Sequence, residues 1–112
     1  MALLWLHALD EDEDRIRIAL SGELDLSSAL TFEEQLRRIE QTRHPSTLVI
    51  DLSRLKFMDS TGVRLILSAH TRAVRDRRRL QIVAGTAAVR RIFSLTGLNE
   101  RLEIVDAAPA PA

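Results

Sequence analysis

The chain of 112 residues has no cysteine, which excludes a disulfide framework and any thiolate-ligated metal site. No apolar run approaches the roughly 20 residues that a membrane-spanning helix needs. The N-terminal stretch Met1 to His7 has no basic segment ahead of its apolar residues, and it runs into acidic residues at 10–14. It does not read as a secretory leader, and the expected compartment is the cytoplasm. Net charge is also absent, because sixteen basic side chains balance sixteen acidic ones. A dedicated nucleic-acid binder is usually clearly basic, so direct nucleic-acid binding is not expected. Lysine is nearly missing, with Lys56 alone against a background of arginine. There is no internal repeat and no linker. The one low-complexity stretch is the tail 107–112, Ala-Ala-Pro-Ala-Pro-Ala, expected to fray beyond a single domain spanning 1–106.

What is present suits a folded protein. Hydrophobic residues make up 46% and charged residues 29%, too apolar for disorder. At this length folding buries roughly two-thirds of the extended chain's surface, enough for a core without staples.

Periodicity supplies the elements. Residues 3–9 form an apolar strand, and Asp10 to Asp14 is an unbroken acidic run expected to be a solvated turn. From Arg15 to Leu20 the chain alternates, with Ile16, Ile18 and Leu20 on one face, the period of a half-buried strand and the second arm of a hairpin. Ser27 and Ser28 are candidate N-caps for a helix carrying Ala29, Phe32, Leu36 and Ile39, closed by Pro45. Thr47 to Leu52 reads as a central strand covered on both faces, followed by a short loop. A second helix begins near Ser60, with Val63, Ile66, Leu67, His70, Ala73 and Val74 along one side. Leu80 to Ala84 is another buried strand. Thr86 opens a short helix, Gly97 sits at its left-handed cap, and Leu102 to Val105 is a last short strand. Strands separated by helices must be parallel, with right-handed crossovers. The expected fold is therefore α/β: a mixed, mostly parallel sheet of four to five strands with an N-terminal hairpin and helices packed on it.

The informative segment runs from Leu48 to Leu67. Asp59-Ser60-Thr61-Gly62 stands at a strand-to-helix junction, where function concentrates in α/β sheets. Asp, Ser and Thr all cap helices, so capping alone accounts for three of the four. Gly62 is less expected, since glycine costs about 1 kcal/mol against alanine inside a helix. Close approach of another backbone is one reason to accept it.

This segment resembles the signature of STAS-domain anti-sigma factor antagonists: aspartate, serine, serine or threonine, then glycine, opening the second main helix. Ser21-Gly22-Glu23-Leu24-Asp25 looks like the same family's turn before its first helix, and Arg90 to Leu98 is similar to its late helix with a Thr-Gly-Leu close. The three pieces occur in order across residues 3–105. The resemblance implies a phosphorylation switch with Ser60 as acceptor and Thr61 as a secondary one. Glu23, Asp25, Asp59, Ser60, Thr61, Gly62 and Arg64 would meet the partner. That partner would be an anti-sigma factor that is also an ATP-using serine kinase, and a PP2C-type phosphatase would reset the switch. No cofactor is expected, since no phosphate-cradling glycine loop appears, and no membrane partner. The sequence departs from the family at Arg64, where a second glycine often stands. The same fold also serves stand-alone STAS subunits of lipid-transport ABC complexes and scaffolds of stress-sensing assemblies. Retention of a hydroxyl at Ser60 favours the switch.

Other chemistries fit poorly. Met58 stands where a Gly-x-Ser-x-Gly elbow needs its first glycine, and His70 is ten helical residues from Ser60, about 15 Å away. No enzyme is expected. His7, His44 and His70 are not at metal-ligand spacing. Arg72, Arg75, Arg77, Arg78 and Arg79 read as a solvated helix end rather than a nucleic-acid patch, since no aromatics interleave with them. Trp5 reads as core or hairpin packing, with an interface the less expected use.

Overall fold

The structure is a computed structural model that describes residues 4–12 and 14–105. The tail 107–112 and residues 1–3, 13 and 106 lie outside them, as does the boundary expected at 106. Five strands and three helices alternate as β1 (Leu4–Asp10), β2 (Arg15–Leu24), α1 (Ala29–Arg43), β3 (Thr47–Met58), α2 (Ser60–Arg75), β4 (Arg79–Val83), α3 (Ala87–Leu95) and β5 (Glu103–Val105). A 3-10 turn, Leu98–Glu100, precedes β5. The sheet order is β1-β2-β3-β4-β5, with β1 antiparallel to β2 and every other pair parallel. The mixed sheet, the hairpin and the three crossover helices are the expected ones.

Laying consecutive parallel strands side by side in one direction has a steric consequence. Right-handed crossovers then place every helix on the same face. The core agrees. Ile16, Ile18 and Leu20 of β2, Leu48, Ile50 and Leu52 of β3, and Leu80 and Ile82 of β4 form one cluster with Phe32 and Leu36 of α1, Val63 and Ile66 of α2, and Val89 and Phe93 of α3. The expectation that Thr47 to Leu52 is covered on both faces holds in burial: Val49 and Asp51, which alternate with the residues of that cluster, are buried as well. Their face is closed by its own polar side chains. Arg17 reaches both Glu11 (3.1 Å) and Asp51 (3.8 Å), and Glu103 accepts from Arg79 and Gln81. Glu11 also pairs with Arg15, so the acidic run is tied to β2 rather than simply solvated.

Two strands are longer than their alternation suggests. β2 continues through the segment read as a turn, to Leu24, and β3 continues through the segment read as a loop, to Met58. Between β2 and β3 the register slips twice: Ala19 faces Asp51 but Ser21 faces Arg54, and Gly22 faces Leu55 but Glu23 faces Phe57. Each slip inserts one extra residue into β3. The core-facing residues are therefore Leu48, Ile50, Leu52, Leu55 and Met58, first two and then three apart. Two bulges hide the strand from a period-two search, and bulges of this kind re-aim side chains beside functional sites.

Other local expectations change in the same way. On α2 the buried set is Gly62, Val63, Ile66, Ala69, Arg72 and Ala73, whereas Val74 is exposed. Arg72 is not solvated. It is buried with Glu40 of α1 in a two-point ion pair, Nε–Oε1 2.6 Å and Nη2–Oε2 2.9 Å. Trp5 does not pack in the core but stands 68% exposed on β1.

Candidate functional site

The junction of β3 and α2 is built on a cap. Asp59 is extended, and its Oδ1 accepts from the backbone N–H groups of Thr61 (2.9 Å) and Gly62 (3.4 Å). Its carbonyl accepts from Val63 N–H, and its own N–H donates to Leu24 O (3.3 Å). That last bond ties the start of α2 to the end of β2. Asp59 is thus the N-cap, and Ser60, Thr61 and Gly62 follow as the first turn.

Gly62 is required by side chains, not by a passing backbone. A Cβ there would lie 2.5 Å from Met58 Cγ and 3.1 Å from Leu24 Cδ2. The first turn of α2 therefore sits directly on the ends of β2 and β3. The backbone approach expected at Gly62 occurs instead at Gly85, after β4, where a Cβ would collide with the Leu52 carbonyl oxygen. Sequence reasoning passed over Gly85, because a lone glycine after a strand looks like ordinary turn chemistry.

This arrangement leaves Ser60 exposed and Thr61 half-buried. Arg64 is exposed one helical turn beyond Ser60, and neighbours at that spacing lie about 5–6 Å apart at Cβ. Arg64 makes no ion pair among the described residues. The charged group closest in chain to Ser60 is the Asp59 carboxylate, and it already occupies the N–H groups of Thr61 and Gly62.

The β2–α1 turn sits beside this junction. Asp25 Oδ1 accepts from Ser27 N–H and from the Ser27 hydroxyl (2.6 Å), and more weakly from Ser28. The Ser27 hydroxyl, foremost among these donors, holds the Asp25 carboxyl below its ordinary value. Ser28 is the residue before α1, but its hydroxyl donates to Glu23 O and accepts from Asp25 N–H rather than capping the helix. Ser27 and Ser28 therefore stabilise the turn and not the helix end as expected. Glu23 is half-buried at the end of β2, opposite Phe57.

The structure thus brings Glu23, Asp25, Asp59, Ser60, Thr61, Gly62 and Arg64 onto two adjoining segments. It also places exposed apolar side chains there that sequence reasoning missed: Leu26 and Leu30 around the start of α1, and Phe57 just before the cap. His70 lies on α2 with Ser60, ten residues along.

The fold and this junction define a class that comparison with known proteins names. The family model described as "Mlab, STAS domain" matches residues 7–106, and the chain belongs to that family. It is 32% identical over 96 residues to the anti-sigma-B factor antagonist of Listeria monocytogenes, covering 85% of this chain and 82% of that protein. To the anti-sigma-F factor antagonist RsfB of Mycobacterium tuberculosis it is 31% identical over 87 residues, covering 78% and 70%. Among solved structures, an anti-sigma factor antagonist from Mycobacterium paratuberculosis superposes with a TM-score of 0.85 at 25% identity, covering 94% of this chain and 87% of that one. The unphosphorylated form of SpoIIAA superposes with a TM-score of 0.78 at 23% identity, covering 90% and 88%, a likeness of fold. No helix among the described residues is long and apolar enough to cross a membrane.

Proposed function

We propose that this protein is a cytoplasmic anti-sigma factor antagonist switched by phosphorylation of Ser60. Unphosphorylated, it binds an anti-sigma factor through the surface around Ser60 and frees the sigma factor. The anti-sigma factor, acting as an ATP-dependent serine kinase, phosphorylates Ser60 and is released, and a PP2C-type phosphatase restores the hydroxyl. The observation that carries this reading is the exposed hydroxyl at the first turn of α2, on a junction whose two adjoining segments also carry the exposed apolar side chains Leu26, Leu30 and Phe57. Exposed apolar groups gathered beside a polar centre suit a protein interface.

The physical basis of the switch is local. A phosphate adds about −1.5 to −2 charges at pH 7. It enters beside the Asp59 carboxylate and not onto open N–H donors, because Asp59 already holds those of Thr61 and Gly62. Docking would then bury that charge against apolar side chains, and each 1.4 kcal/mol of repulsion or desolvation weakens binding about tenfold. Glu23, Asp25, Thr61 and Arg64 complete the contact surface. Arg64, exposed where relatives often have glycine, adjusts which anti-sigma factor is accepted. Thr61, half-buried, is at most a secondary acceptor.

Incubation with the cognate anti-sigma kinase and ATP, followed by mass spectrometry, tests the proposal. One phosphate on Ser60, absent from Ser60→Ala, is expected; undiminished phosphate in Ser60→Ala would refute it. Ser60→Ala used as bait is expected to retain an anti-sigma factor, and Ser60→Asp to retain less. Capture of a transporter permease by both variants equally would instead favour the lipid-transport subunit.

A further inference from the structure

The two edges of the sheet are built differently. An edge strand exposes a row of unpaired N–H and C=O groups, and native proteins protect it by shortness, charge, proline or bulges. β5 has such devices: it is three residues long, and its Glu103 is held by Arg79 and Gln81. β1 has none from Leu4 to Leu9. That stretch reads Leu-Trp-Leu-His-Ala-Leu, without a formal charge or a proline, and it pairs with β2 in an unbroken register. On its outer face Trp5 is 68% exposed and Leu9 44%. A cavity of about 480 Å³ opens beside them, lined among others by His7, Arg17, Ala19 and Asp51.

We propose that β1 is a homodimer interface. A second copy of the chain pairs antiparallel with it about a two-fold axis at His7, joining two five-stranded sheets into one. That register uses all seven residues of the strand; its five central positions are self-complementary, and Leu4 faces Asp10 at each end. Trp5 faces the second copy's Leu9, Leu6 faces Ala8, and His7 faces its own equivalent. Residues directly opposite one another share a face, so each outer-face Trp5 covers an outer-face Leu9, and the contact occurs twice as an isologous interface demands. A slip of one residue would set Trp5 against Ala8 and throw the helices of the two copies onto opposite faces. Charge does not oppose the contact. The chain's formal net charge is zero, and Asp10 at the strand's end is neutralised by Arg43 at 2.7 Å. The interface uses none of the residues assigned to the Ser60 surface.

Sedimentation velocity over a rising concentration series tests the proposal. The expected mass climbs to twice that of the monomer, accompanied by a blue shift in emission from Trp5, the only tryptophan. Trp5→Glu combined with Leu9→Glu should remain monomeric with an unchanged circular dichroism spectrum. A chain that stays monomeric throughout overturns the proposal. The register is tested separately, and the absence of native cysteine makes the experiment clean. His7→Cys is expected to form a disulfide-linked dimer on oxidation, because opposed Cα atoms about 4.5–5.5 Å apart fall in disulfide range. Asp10→Cys should not, since two copies of position 10 would stand roughly 20 Å apart along the strands. No cross-link with His7→Cys, or equal cross-linking of both, refutes the two-fold at His7. These cysteine variants leave the strand's apolar side chains intact, so they decide the matter even if the double variant fails to fold.

Discussion

Two glycines show how single positions set the site. At Gly62 the obstacle is Cγ of the buried Met58 side chain, whereas at Gly85 it is a backbone carbonyl of β3 that has nowhere to go. Gly85→Ala is therefore expected to destabilise by about 3 kcal/mol, the upper part of the overpacking range, as measured by denaturant unfolding. Gly62→Ala regains up to about 1 kcal/mol of helix propensity against its clash and should cost less. At Asp59, Asp59→Ala removes the cap and should cost about 1 kcal/mol, and Asp59→Asn should recover most of that. Only the aspartate, however, places a charge beside Ser60, so the two variants separate capping from electrostatics in partner binding. Arg64 acts on the other side of the same hydroxyl. With phosphate installed at Ser60, its guanidinium one turn away favours the dianion, so Arg64→Gly should raise the second phosphate pKa in a phosphorus NMR titration. An unchanged titration would leave Arg64 a role toward the partner alone.

Between elements, the dominant polar contact is the ion pair that locks α1 to α2. Arg72 and Glu40 are both buried, and Arg72 also reaches Glu33 at 3.4 Å. The Glu40 carboxylate, by accepting its hydrogen bonds, holds the Arg72 guanidinium above its ordinary pKa. Arg78, donating to Pro45 O, lies against the same carboxylate at 4.0 Å and has a buried Nη1 without a hydrogen-bond partner. Removing the acid takes the main partner from Arg72, which keeps only Glu33, and leaves Arg78 with Asp76 at 3.9 Å. Glu40→Ala should cost about 3 kcal/mol, the low end for a broken buried pair because a cavity of about 470 Å³ borders the cluster. Glu40→Met with Arg72→Leu should recover much of it by thermal melting, since replacing both charges leaves neither unpaired. This pair was not legible in the chain. Helical spacing put Ile39 on the buried face of α1, where the structure leaves it half-buried beside a buried Glu40. Two charged residues 32 positions apart announce their pairing only once the helices pack.

Across the molecule, three carboxylates are held by specific partners, and this predicts its response to acid. Asp25, Asp76 and Glu103 are all held below their ordinary pKa values, chiefly by the Ser27 hydroxyl, the Arg75 guanidinium and the Arg79 guanidinium respectively. A depressed carboxylate stabilises the fold fully above its unfolded pKa, and that contribution is lost as pH falls through the folded value. The melting temperature should therefore stay level down to about pH 5 and decline through pH 4 and below. All three groups are largely open to solvent, so the decline should be shallow. Glu103→Gln should flatten part of it, and a melting temperature that rises in acid would contradict the assignment.

The same scale separates what the chain states from what its folding decides. Element order, the parallel sheet with its hairpin, and Asp59-Ser60-Thr61-Gly62 at a helix start were all readable, because period, caps and short motifs are properties of neighbouring residues. The β3 extension was not, since two bulges break the alternation that would reveal it. That the helices lie on one face of the sheet was not readable either, because it follows from strand order and crossover hand together. Nor was the exposure of Trp5, because an apolar strand looks the same at a sheet's edge as at its centre. The sequence by itself determined which residues form the junction around Ser60. Only the tertiary structure decided what adjoins it, leaving Leu26, Leu30 and Phe57 exposed on the segments that meet there and β1 at the edge of the sheet, because those relations depend on which segments become neighbours in space.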